Sequence, residues 1–395
     1  MKYIKSLSVV HLWSDYYVKA DGNPQHYLKQ HGIPSNIITA ILIADNSAAD
    51  DNVFYNQLQS PADKADNTLL KRIFKRLLLP FKWFTVNRWA YKKIQEIKPS
   101  VLHIHFGYNA VRFLPAIKKS DLPVVLTFYG VDASTMIADP SWRQQYNKAF
   151  KYVSAFIVLS AIVKDRIAEL GVDRSKITVW NIPIKLNVFQ FRVKPRGTVF
   201  KFITAARFVE KKGYKFLIDA FDKVYAQNKN CTLTIIGYGP AKAKILAEVE
   251  RYGLEDVITV VDTNLRTDFH TFYYKQLCEH DVYVLPSTTS KDGDDEGGPA
   301  LTLVAAQAAG LPVICTPFVG SEITVFDQQT GFICQQDNPD SIAEKMNILI
   351  KDEALSNKIG KAASELVNSI FVEEVQMAKV VDIYHGVMAK VLPLL

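Results

Sequence analysis

The chain has 395 residues, of which 48% are hydrophobic and 22% are charged, and its formal net charge at pH 7 is +7. This length favours two domains of roughly 180 to 200 residues each, and the composition is typical of soluble globular proteins and excludes disordered and fibrous ones. The sequence has no apolar run of about 18 residues, so a transmembrane helix is not expected.

The positive charge is concentrated in one segment. Between Asp66 and Glu96 the chain has eight basic residues and no acid, and subtracting this +8 from the total of +7 leaves −1 for the remainder. Because the basic character belongs to one segment, nucleic-acid binding by the whole protein is not supported.

The cysteines show neither C-x-x-C spacing nor clustering with histidine, which favours reduced core thiols in a cytosolic protein over disulfides or zinc. They are Cys231, Cys278, Cys315 and Cys334. The N-terminus has two lysines before an apolar run, as signal peptides do, but Ser8 and His11 interrupt the run and no A-x-A site follows. A first β-strand is expected there instead.

Two series of apolar, strand-like runs follow one another along the chain, separated by helical stretches. The first series covers residues 7–12, 36–44, 101–105, 123–129, 155–160 and 177–180. The second covers residues 200–206, 231–237, 257–262, 281–286, 311–316 and 331–334. Continuous apolar runs indicate parallel strands covered on both faces, so the pattern predicts two doubly wound, Rossmann-like α/β domains.

Pro183 and Gly197 interrupt the pattern between the two series, so the predicted domains are residues 1–185 and 186–375. The carboxyl ends of their strands are expected to line a cleft in which ligands bind. A final helix is expected over about residues 376–395. Its periodicity leaves open which domain it packs on, and a return to the first domain is one alternative.

In the second series, the segment RFVEKKG brings Arg207, Lys211 and Lys212 to the carboxyl end of a strand, beside a glycine turn. Fixed cations next to a helix N-terminus favour a diphosphate, and a solvated basic loop is the alternative. The next strand leads into IIGYGP, where Gly237 and Gly239 allow close backbone approach to a ligand. The third glycine of a dinucleotide motif is missing, so a plain tight turn explains this segment equally well.

The stretch DGDDEGGPALTLVAAQAAGLP, residues 292–312, joins an acidic loop to an uncharged run. Gly297 and Gly298 are expected to form a sharp turn with unusual φ, and Pro299 suits the first turn of a helix. The N–H groups of that helix would favour an anion. The acids favour a role for Glu296 in hydrogen-bonding a sugar, and a divalent metal site is the weaker alternative.

In the first series, HIHFG and TFYGVDAS each follow a strand. The residues expected to converge at one sheet edge are His105, Gly107, Tyr129, Gly130 and Asp132. His103 is predicted to point away from His105 and to have a structural role. His105 itself suits a catalytic role and a structural role equally well.

The basic segment TLLKRIFKRLLLPFKWFTVNRWAYKK has basic pairs about one helical turn apart, interleaved with apolar and aromatic residues. This pattern is typical of a helix in the interface of an anionic membrane; a helix packed on its own domain and RNA binding are alternatives. Pro80 is expected to break or kink the helix. The residues expected to contact the membrane are Lys71, Arg72, Lys75, Arg76 and Trp83.

Together these segments resemble the GT-B-fold retaining glycosyltransferases of family 4, over nearly the whole chain. The first domain supplies HIHFG and TFYGVDAS, and the second supplies RFVEKKG, IIGYGP, DGDDEGGPALTLVAAQAAGLPVICT and GSEITVFDQQTGFIC. The resemblance implies two Rossmann-like domains facing a central cleft, with a nucleotide-sugar donor bound by the second domain and an acceptor by the first.

By this resemblance, Arg207 and Lys212 hold the donor diphosphate, and Glu296, a catalytic candidate, lies near the donor sugar. The rest of the implied donor-binding set is Gly237, Gly239, Gly297, Gly298, Pro299, Thr302 and the position of Ala305. The first-domain residues are His105, Tyr129 and Asp132 as catalytic candidates, with loop positions Gly22, Gly107 and Gly130. No metal or cofactor is implied, because cations and a helix dipole stabilise the leaving diphosphate.

Two positions depart from the family pattern. Tyr129 stands before the glycine where histidine is usual, although a tyrosine can still donate a hydrogen bond. Ala305 stands where the family has its second glutamate, which is expected to bind the ribose hydroxyls. Losing a charged acceptor of this kind weakens donor binding by about 1.5 to 3 kcal/mol. Either the donor is held differently, the natural protein is weak or inactive, or the residue was changed on purpose.

The expected protein is therefore a cytoplasmic, peripheral-membrane retaining transferase. It would move a sugar from a UDP- or GDP-sugar to a lipid-linked or saccharide acceptor in bacterial surface-polysaccharide or lipopolysaccharide biosynthesis. Two alternatives remain open, namely a GT-B epimerase or phosphorylase and a non-catalytic, glycosyltransferase-like membrane scaffold subunit. Ala305 is the best support for the scaffold.

Overall fold

A computed structural model gives the fold and describes residues 7–13, 38–43, 53–55, 69–184, 188–191, 196–264, 266 and 268–389, with side chains for all but 38–43, 53–55 and 69–81. The chain divides into two compact units, Met1–Trp180 with Gln376–Leu395, and Asn181–Val375. The first segment of this division ends five residues before the predicted boundary at residue 185.

The first unit is built on one parallel sheet. Its strands are β1 (Val9–Trp13), β2 (Ile38–Ile43), β3 (Val53–Tyr55), β4 (Val101–His105), β5 (Val124–Thr127), β6 (Ala155–Val158) and β7 (Ile177–Val179). Their order in the sheet is β3-β2-β1-β4-β5-β6-β7. All six runs predicted in this series form strands, and β3, with three residues, is too short to stand out as an apolar run. The chain reverses its direction of travel between β1 and β4, which makes their carboxyl ends a topological switch point.

Helices connect these strands, as parallel pairing requires. They are α1 (Leu69–Ile97), α2 (Gly107–Arg112), α3 (Leu114–Ser120), α4 (Thr135–Ala138), α5 (Pro140–Ala149) and α6 (Ala161–Ala168). Helix α1 continues through Pro80, so this proline does not break the helix, and the other predicted outcome, a kink, stays a prediction. The missing hydrogen bond is tolerated because eleven helical residues precede Pro80 and seventeen follow it, and helix propagation is cooperative.

The second unit repeats the same architecture. Its strands are β8 (Phe200–Ala205), β9 (Cys231–Gly237), β10 (Ile258–Asp262), β11 (Val282–Leu285), β12 (Val313–Cys315) and β13 (Phe332–Ile333). Its helices are α7 (Tyr214–Gln227), α8 (Lys242–Arg251), α9 (Phe269–Glu279), α10 (Leu301–Ala308), α11 (Pro339–Lys351) and α12 (Glu353–Ile370). The strand order is β10-β9-β8-β11-β12-β13, all parallel, so the switch point of this sheet lies between β8 and β11.

The sheet of the second unit is buried on both faces. Phe202, Leu233 and Val284 belong to one apolar cluster, while the alternate positions Ile203 and Tyr283 belong to a second cluster. Because successive side chains of a strand point to opposite faces, one cluster lies on each side of the sheet. This is why the strands read as continuous apolar runs in the sequence.

Two further observations concern cysteines and membrane spans. All four cysteines are free thiols; Cys278 is half-buried and the other three are buried. Burial raises the pKa of Cys231 to about 11 and that of Cys334 to about 12, so both are protonated at neutral pH. Within the described ranges, no helix combines the length and the apolar character needed to cross a bilayer.

The last helix, α13 (Glu373–Ala389), packs on the first unit from Gln376 onward. Trp180 Nε1 donates a hydrogen bond to the Gln376 carbonyl at 3.1 Å. The Tyr384 hydroxyl lies 2.6 Å from His103 Nδ1, and both side chains are fully buried. The sheet of the first unit is thus covered on this side by the C-terminal helix.

We predict that Tyr384→Phe lowers the thermal midpoint of the first unit. The change leaves His103 Nδ1 without its buried partner, and an unsatisfied buried group of this kind costs about 1 to 3 kcal/mol. Thermal unfolding followed by tryptophan fluorescence would measure it. Tyr152→Phe, at a residue that is 39% exposed, is the matched control. An equal midpoint for the two variants would show that this hydroxyl does not anchor α13.

Candidate functional site

The loops that follow β8, β9 and β11 carry most of the residues predicted to bind a donor. These three strands are neighbours in the sheet, and their carboxyl ends lie at the same edge, beside the switch point. The β8 loop carries Arg207 and Lys212, and the β11 loop carries Glu296. Residues far apart in sequence therefore meet at one sheet edge.

A buried ion pair joins two of these loops. Lys212 Nζ lies 2.6 Å from Glu296 Oε1, and the two residues are only 9% and 8% exposed. Ser287, just after β11, donates a hydrogen bond from Oγ to the same carboxylate oxygen at 3.0 Å. The carboxylate predicted to lie near the donor sugar is thus held in place by a cation and a hydroxyl.

Lys211 makes a second link between the same loops. Its Nζ lies 2.9 Å from Asp294 Oδ2 and donates a hydrogen bond to the Asp295 carbonyl at 2.6 Å. Lys211 is 5% exposed. The acidic loop therefore neutralises two buried lysines, and Asp292, which is exposed, accepts a hydrogen bond from Ser290.

Charges decide the ionisation of Glu296. Burial by itself would raise the pKa of this carboxyl, but Lys212 and Lys211 and the hydrogen bonds from Lys212 and Ser287 outweigh it. The pKa of Glu296 is therefore below its ordinary value, and the carboxylate is ionised at neutral pH.

Gly237 and Gly239 permit a close approach between two loops. A Cβ at residue 237 would lie 1.9 Å from the Ala206 carbonyl oxygen, and one at 239 would lie 2.6 Å from the Phe208 carbonyl oxygen. The Phe208 N–H also donates to the Tyr238 carbonyl at 2.6 Å. These glycines thus allow the β9 loop to pack against the β8 loop. The close backbone approach expected from the sequence is made here to another loop of the protein.

Gly213 has the same kind of role at the start of α7. Its φ is +66°, and a Cβ there would lie 1.8 Å from the Pro286 carbonyl oxygen. The Thr288 N–H donates to the Lys211 carbonyl at 2.8 Å, beside this contact. The backbone of the lysine loop therefore lies directly against the loop that follows β11.

Helix α10 begins at Leu301, close to the predicted start, but the turn before it differs from the prediction. Neither Gly297 nor Gly298 has a positive φ, and Pro299 precedes the N-cap residue Ala300, so it is outside the first helical turn. The glycine that packs against this turn is Gly320, with a left-handed φ of +99°. A Cβ at Gly320 would lie 2.2 Å from the Gly298 carbonyl carbon, so close backbone packing explains the small residues here.

The side chains of α10 face the interior of the unit. The Thr302 hydroxyl lies 2.6 Å from the Ala205 carbonyl oxygen and 2.9 Å from the Tyr283 hydroxyl. Ala305 is 4% exposed and belongs to the same apolar cluster as Ile203 and Tyr283. Thr302 therefore anchors the helix to the end of β8, and Ala305 packs as a core residue.

The first unit brings its predicted residues together as well. Asp132 is fully buried, and its carboxylate accepts hydrogen bonds from the N–H groups of Gly107, Tyr129 and Gly130 at 2.8, 3.1 and 2.8 Å. Burial raises the pKa of Asp132 despite these hydrogen bonds. Asp132 thus joins the loops after β4 and β5, and His105 Nδ1 lies 2.6 Å from the Tyr129 hydroxyl beside it.

A series of contacting side chains leads from Tyr129 into the sheet through three histidines. His11 on β1 lies with Nδ1 2.9 Å from His105 Nε2, and the His103 and His105 rings are 4.2 Å apart. The prediction that His103 points away from His105 is wrong, because residues two apart on a strand share a face. Its predicted structural role agrees with its contacts, since His103 hydrogen-bonds Thr127 at 2.7 Å and also Tyr384.

Two of these histidines, His11 and His103, are neutral. Burial lowers the pKa of His11 to about 3 and, together with His11, lowers the pKa of His103 well below its usual value. The three side chains each have a ligand atom within 4.8 Å of the others. Both ring nitrogens of His103 and of His105 already make hydrogen bonds, so the arrangement is that of a hydrogen-bonded network.

Several predicted residues fall elsewhere. Gly22 lies outside the described residues, and the side chains of Lys71, Arg72, Lys75 and Arg76 do too, although their backbone belongs to α1. Arg207 is exposed, two residues past the end of β8. Trp83 is half-buried, and its ring makes an edge contact with Phe113.

Two family models match this chain. Residues 188–366 match glycosyl transferases group 1, and residues 50–188 match glycosyltransferase family 4. The chain belongs to glycosyltransferase family 4.

Curated relatives of this family 4 chain agree with the assignment. It is 28% identical over 255 residues to WcaL of Escherichia coli (strain K12), a putative colanic acid biosynthesis glycosyltransferase. The matched region covers 63% of this chain and 61% of WcaL. It is 24% identical over 349 residues to the amylovoran biosynthesis glycosyltransferase AmsK of Erwinia amylovora, and this match covers 82% of the chain and 84% of AmsK. The chain thus spans about three fifths of WcaL.

Solved structures confirm the GT-B fold for this family 4 chain. A glycosyltransferase from Rickettsia africae ESF-5 superposes with a TM-score of 0.74 at 16% identity, covering 97% of this chain and 99% of that one. Anabaena Alr3699/HepE, solved with UDP and glucose, gives a TM-score of 0.74 at 14% identity, covering 95% and 98%. The prediction of two Rossmann-like domains is therefore correct.

Some of the site contacts have a signal in the sequence of this family 4 chain, and others have none. Ser287 and His11 both lie at or near the carboxyl end of a switch-point strand, where ligands of open α/β sheets bind. Lys211 was noted as a cation, but its pairing with Asp294 depends on a contact across 83 positions. Gly320 had no sequence signal, because its partner is the backbone of a distant loop.

We predict that Glu296→Gln destabilises the second unit at neutral pH by about 3 to 5 kcal/mol, because it leaves Lys212 buried without its counter-charge. The folded pKa of Glu296 is lowered, so its contribution is complete above its unfolded pKa of about 4.3 and is lost as the pH falls through the folded value. Urea unfolding of both proteins at several pH values measures this. Asp292→Asn, an exposed acid of the same loop, is the control. If the difference in unfolding free energy between Glu296→Gln and the parent grew as the pH falls, Glu296 would not be an ionised partner of Lys212.

Proposed function

We propose that this protein is a retaining glycosyltransferase that moves a sugar from a nucleotide sugar to an acceptor in the biosynthesis of a bacterial surface polysaccharide or lipopolysaccharide. The observation that carries the proposal is the Lys212–Glu296 pair at the switch-point edge of the second unit. An ionised, fixed carboxylate beside cations suits a sugar diphosphate, in which hydroxyls and anionic oxygens are neighbours. The polysaccharide pathways named for WcaL and AmsK support the biological role.

The donor diphosphate is proposed to bind Arg207, Lys212 and the N-terminus of α10. Arg207 is exposed at the end of β8, where it can reach a ligand. The N-cap residue Ala300 makes no side-chain capping bond, so the first-turn N–H groups of α10 favour an anion. We propose that these charges stabilise the leaving nucleoside diphosphate without a metal or another cofactor. The UDP complexes of the Anabaena protein support UDP as the nucleotide, and GDP is the alternative.

The reaction transfers one glycosyl group. The bond between the anomeric carbon and the diphosphate oxygen breaks, and its electron pair leaves with the nucleoside diphosphate. The acceptor hydroxyl forms the new bond on the face that the diphosphate leaves, and its proton passes to a departing phosphate oxygen. The anomeric configuration is thereby retained. Glu296 is proposed to hydrogen-bond the donor sugar in this step, since its carboxylate is already fixed.

The first unit is proposed to bind the acceptor, which is a saccharide or a lipid-linked saccharide. Tyr129 is half-buried and presents a hydroxyl that His105 holds at 2.6 Å. Asp132 fixes the surrounding loop by accepting three backbone N–H groups. Tyr129 is thus the first-unit candidate for contact with the reacting groups, and His105 and Asp132 are proposed to support it.

We also propose that the protein is cytoplasmic and associates peripherally with an anionic membrane. The support is the basic, apolar-interleaved segment containing Lys71, Arg72, Lys75 and Arg76, whose backbone belongs to the long helix α1. Such helices bind anionic interfaces through their basic residues, each contributing about 1 kcal/mol near the surface.

One observation favours a second candidate function, a non-catalytic scaffold subunit. At Ala305 the family pattern has a glutamate, and the structure has a buried methyl group inside an apolar cluster. A chain that cannot hold the ribose hydroxyls would lose much of its donor affinity. Calorimetry with UDP and with GDP separates the two: heat of binding with either supports the enzyme, and none at millimolar nucleotide supports the scaffold.

The transfer itself is tested by product analysis. Incubation with a panel of UDP- and GDP-sugars and lipid-linked saccharides extracted from a polysaccharide-producing bacterium is expected to give one elongated product. NMR of that product is expected to show the same anomeric configuration as the donor. An inverted linkage, or free epimerised sugar formed from the donor alone, would overturn the proposal.

We predict that Ala305→Glu tightens nucleoside diphosphate binding by about 1.5 to 3 kcal/mol, because a carboxylate supplies the hydrogen-bond acceptor that the family pattern has there. Isothermal calorimetry measures the affinity. Ala305→Gln has the same size without the charge and controls for crowding in the apolar cluster. If Ala305→Glu folds and binds no more tightly than Ala305→Gln, the alignment of this position with the family's second glutamate is wrong.

A further inference from the structure

The first unit contains a wide groove on its helical surface, formed by α1, α2, α3 and α5. Its volume is about 1520 Å³, and its floor and rim combine apolar and basic side chains. Five of the lining residues are cations, namely Arg88, Lys92, Arg112, Lys118 and Lys119. Among the lining residues that the structure describes, none is acidic. The groove therefore has a strongly positive lining.

Aromatic rings form the apolar part of the groove. They are Trp83, Phe84, Tyr91 and Trp142. Phe84 is 65% exposed, an unusual exposure for a large apolar side chain. An exposed phenyl ring surrounded by cations is poorly suited to contact with water alone, and it suits a ligand that has both a hydrocarbon part and a negative charge.

Two of the cations lie directly on this aromatic surface. The Arg112 guanidinium lies 5.3 Å from the centre of the Trp83 ring and 4.8 Å from that of Tyr108. Lys119 Nζ lies 5.2 Å from the centre of the Tyr91 ring. These are cation–π distances, so the charged groups are held beside the apolar surface. A ligand that bound here would meet positive charge and hydrocarbon side by side.

The groove is also held rigid by buried contacts. Asn87 in α1 donates to the Arg112 carbonyl at 2.9 Å and accepts from the Ala116 N–H at 3.0 Å, and it is 5% exposed. This single side chain joins α1 to both helices on the other side of the groove. A groove that is already formed loses little conformational freedom when a ligand binds.

We propose that this groove binds the phosphate headgroup and adjoining hydrocarbon of an anionic phospholipid in a membrane surface. Charge complementarity selects an anion, and the exposed Phe84 beside the cations selects one that carries hydrocarbon. The proposal rests on the membrane association proposed above and gives it a defined site. It differs from the segment at residues 71–76, because a groove holds a lipid molecule whereas a basic helix face meets the surface as a whole.

The test compares charge-matched variants of the full chain. In the groove variant Arg88, Lys118 and Lys119 become serine, and in the control Lys244, Lys351 and Lys358, exposed residues of the second unit, become serine. Sedimentation with phosphatidylcholine vesicles, with and without phosphatidylglycerol, measures binding. We expect the groove variant to bind phosphatidylglycerol vesicles on the order of 100-fold more weakly than the control. Equal binding of the two variants would overturn the proposal.

A second variant tests the apolar part. Phe84→Ser is expected to weaken binding to phosphatidylglycerol vesicles while keeping every cation, whereas Phe326→Ser, at a residue of the second unit that is 44% exposed, is expected to have no effect. Competing inorganic phosphate at millimolar concentration is expected to leave the protein on the vesicles. Release by phosphate, or single-stranded RNA binding that depends on the groove cations while vesicle binding does not, would show that the ligand is not a lipid.

Further readouts separate this proposal from the proposed function. All groove variants are expected to bind UDP as the parent does, because no residue of the second unit is changed. Loss of vesicle binding when Lys71, Arg72, Lys75 and Arg76 become serine, with full binding by the groove variant, would leave membrane association standing and overturn the groove. Absence of both UDP and GDP binding in the parent, with groove-dependent vesicle binding, would overturn the enzyme and leave the groove.

Discussion

Parallel strand pairing is the constraint on which the rest of both units depends. Parallel strands need a crossover between each pair, and the crossover helices cover both faces of the sheet. The strands must then be largely apolar on both sides, so a polar side chain in the middle of the sheet must find a buried partner, as His11 and His103 do. Most of the polar and charged chemistry lies at the edge where the carboxyl ends of the strands meet. In each unit, a group of the predicted site residues lies in loops at that edge, namely His105, Tyr129 and Asp132 in the first unit and Arg207, Lys212 and Glu296 in the second.

The two edges solve the problem of buried polarity in different ways. In the second unit Lys212 and Glu296 are both charged, and each compensates the desolvation of the other. In the first unit His11 and His103 are neutral, and the ring nitrogens of His11, His103 and His105, apart from His11 Nε2, each hydrogen-bond a neighbouring histidine or hydroxyl. A diphosphate needs positive charge, and a sugar hydroxyl needs neutral donors and acceptors. The difference between the edges therefore matches a charged donor in one unit and a neutral acceptor group in the other.

The fold could be predicted from the sequence because its main signal is local. Each apolar run is long enough to identify a buried strand, and among the strands that the structure describes only Val53–Tyr55, with three residues, has no such run. The site was predicted less completely, since its geometry depends on contacts between distant segments. Gly320 is required by the backbone at Gly298, and Lys211 is paired with Asp294 across the loop. The error at His103 was of another kind, because strand periodicity alone places it on the same face as His105.

Helix α10 shows why alanine at position 305, where the family pattern is expected to have a glutamate, is compatible with the fold. Its polar side chains already have structural partners: Thr302 hydrogen-bonds the end of β8, and Gln307 Nε2 donates to the Thr324 carbonyl at 2.7 Å. Ala305 packs between them within an apolar cluster, where a methyl group needs no partner. The helix therefore keeps its position without a carboxylate, and under the proposed function it contributes to donor binding through its backbone N–H groups. Donor recognition is then proposed to depend more on the diphosphate and less on the ribose, with the cations of the β8 loop as the main source of donor affinity.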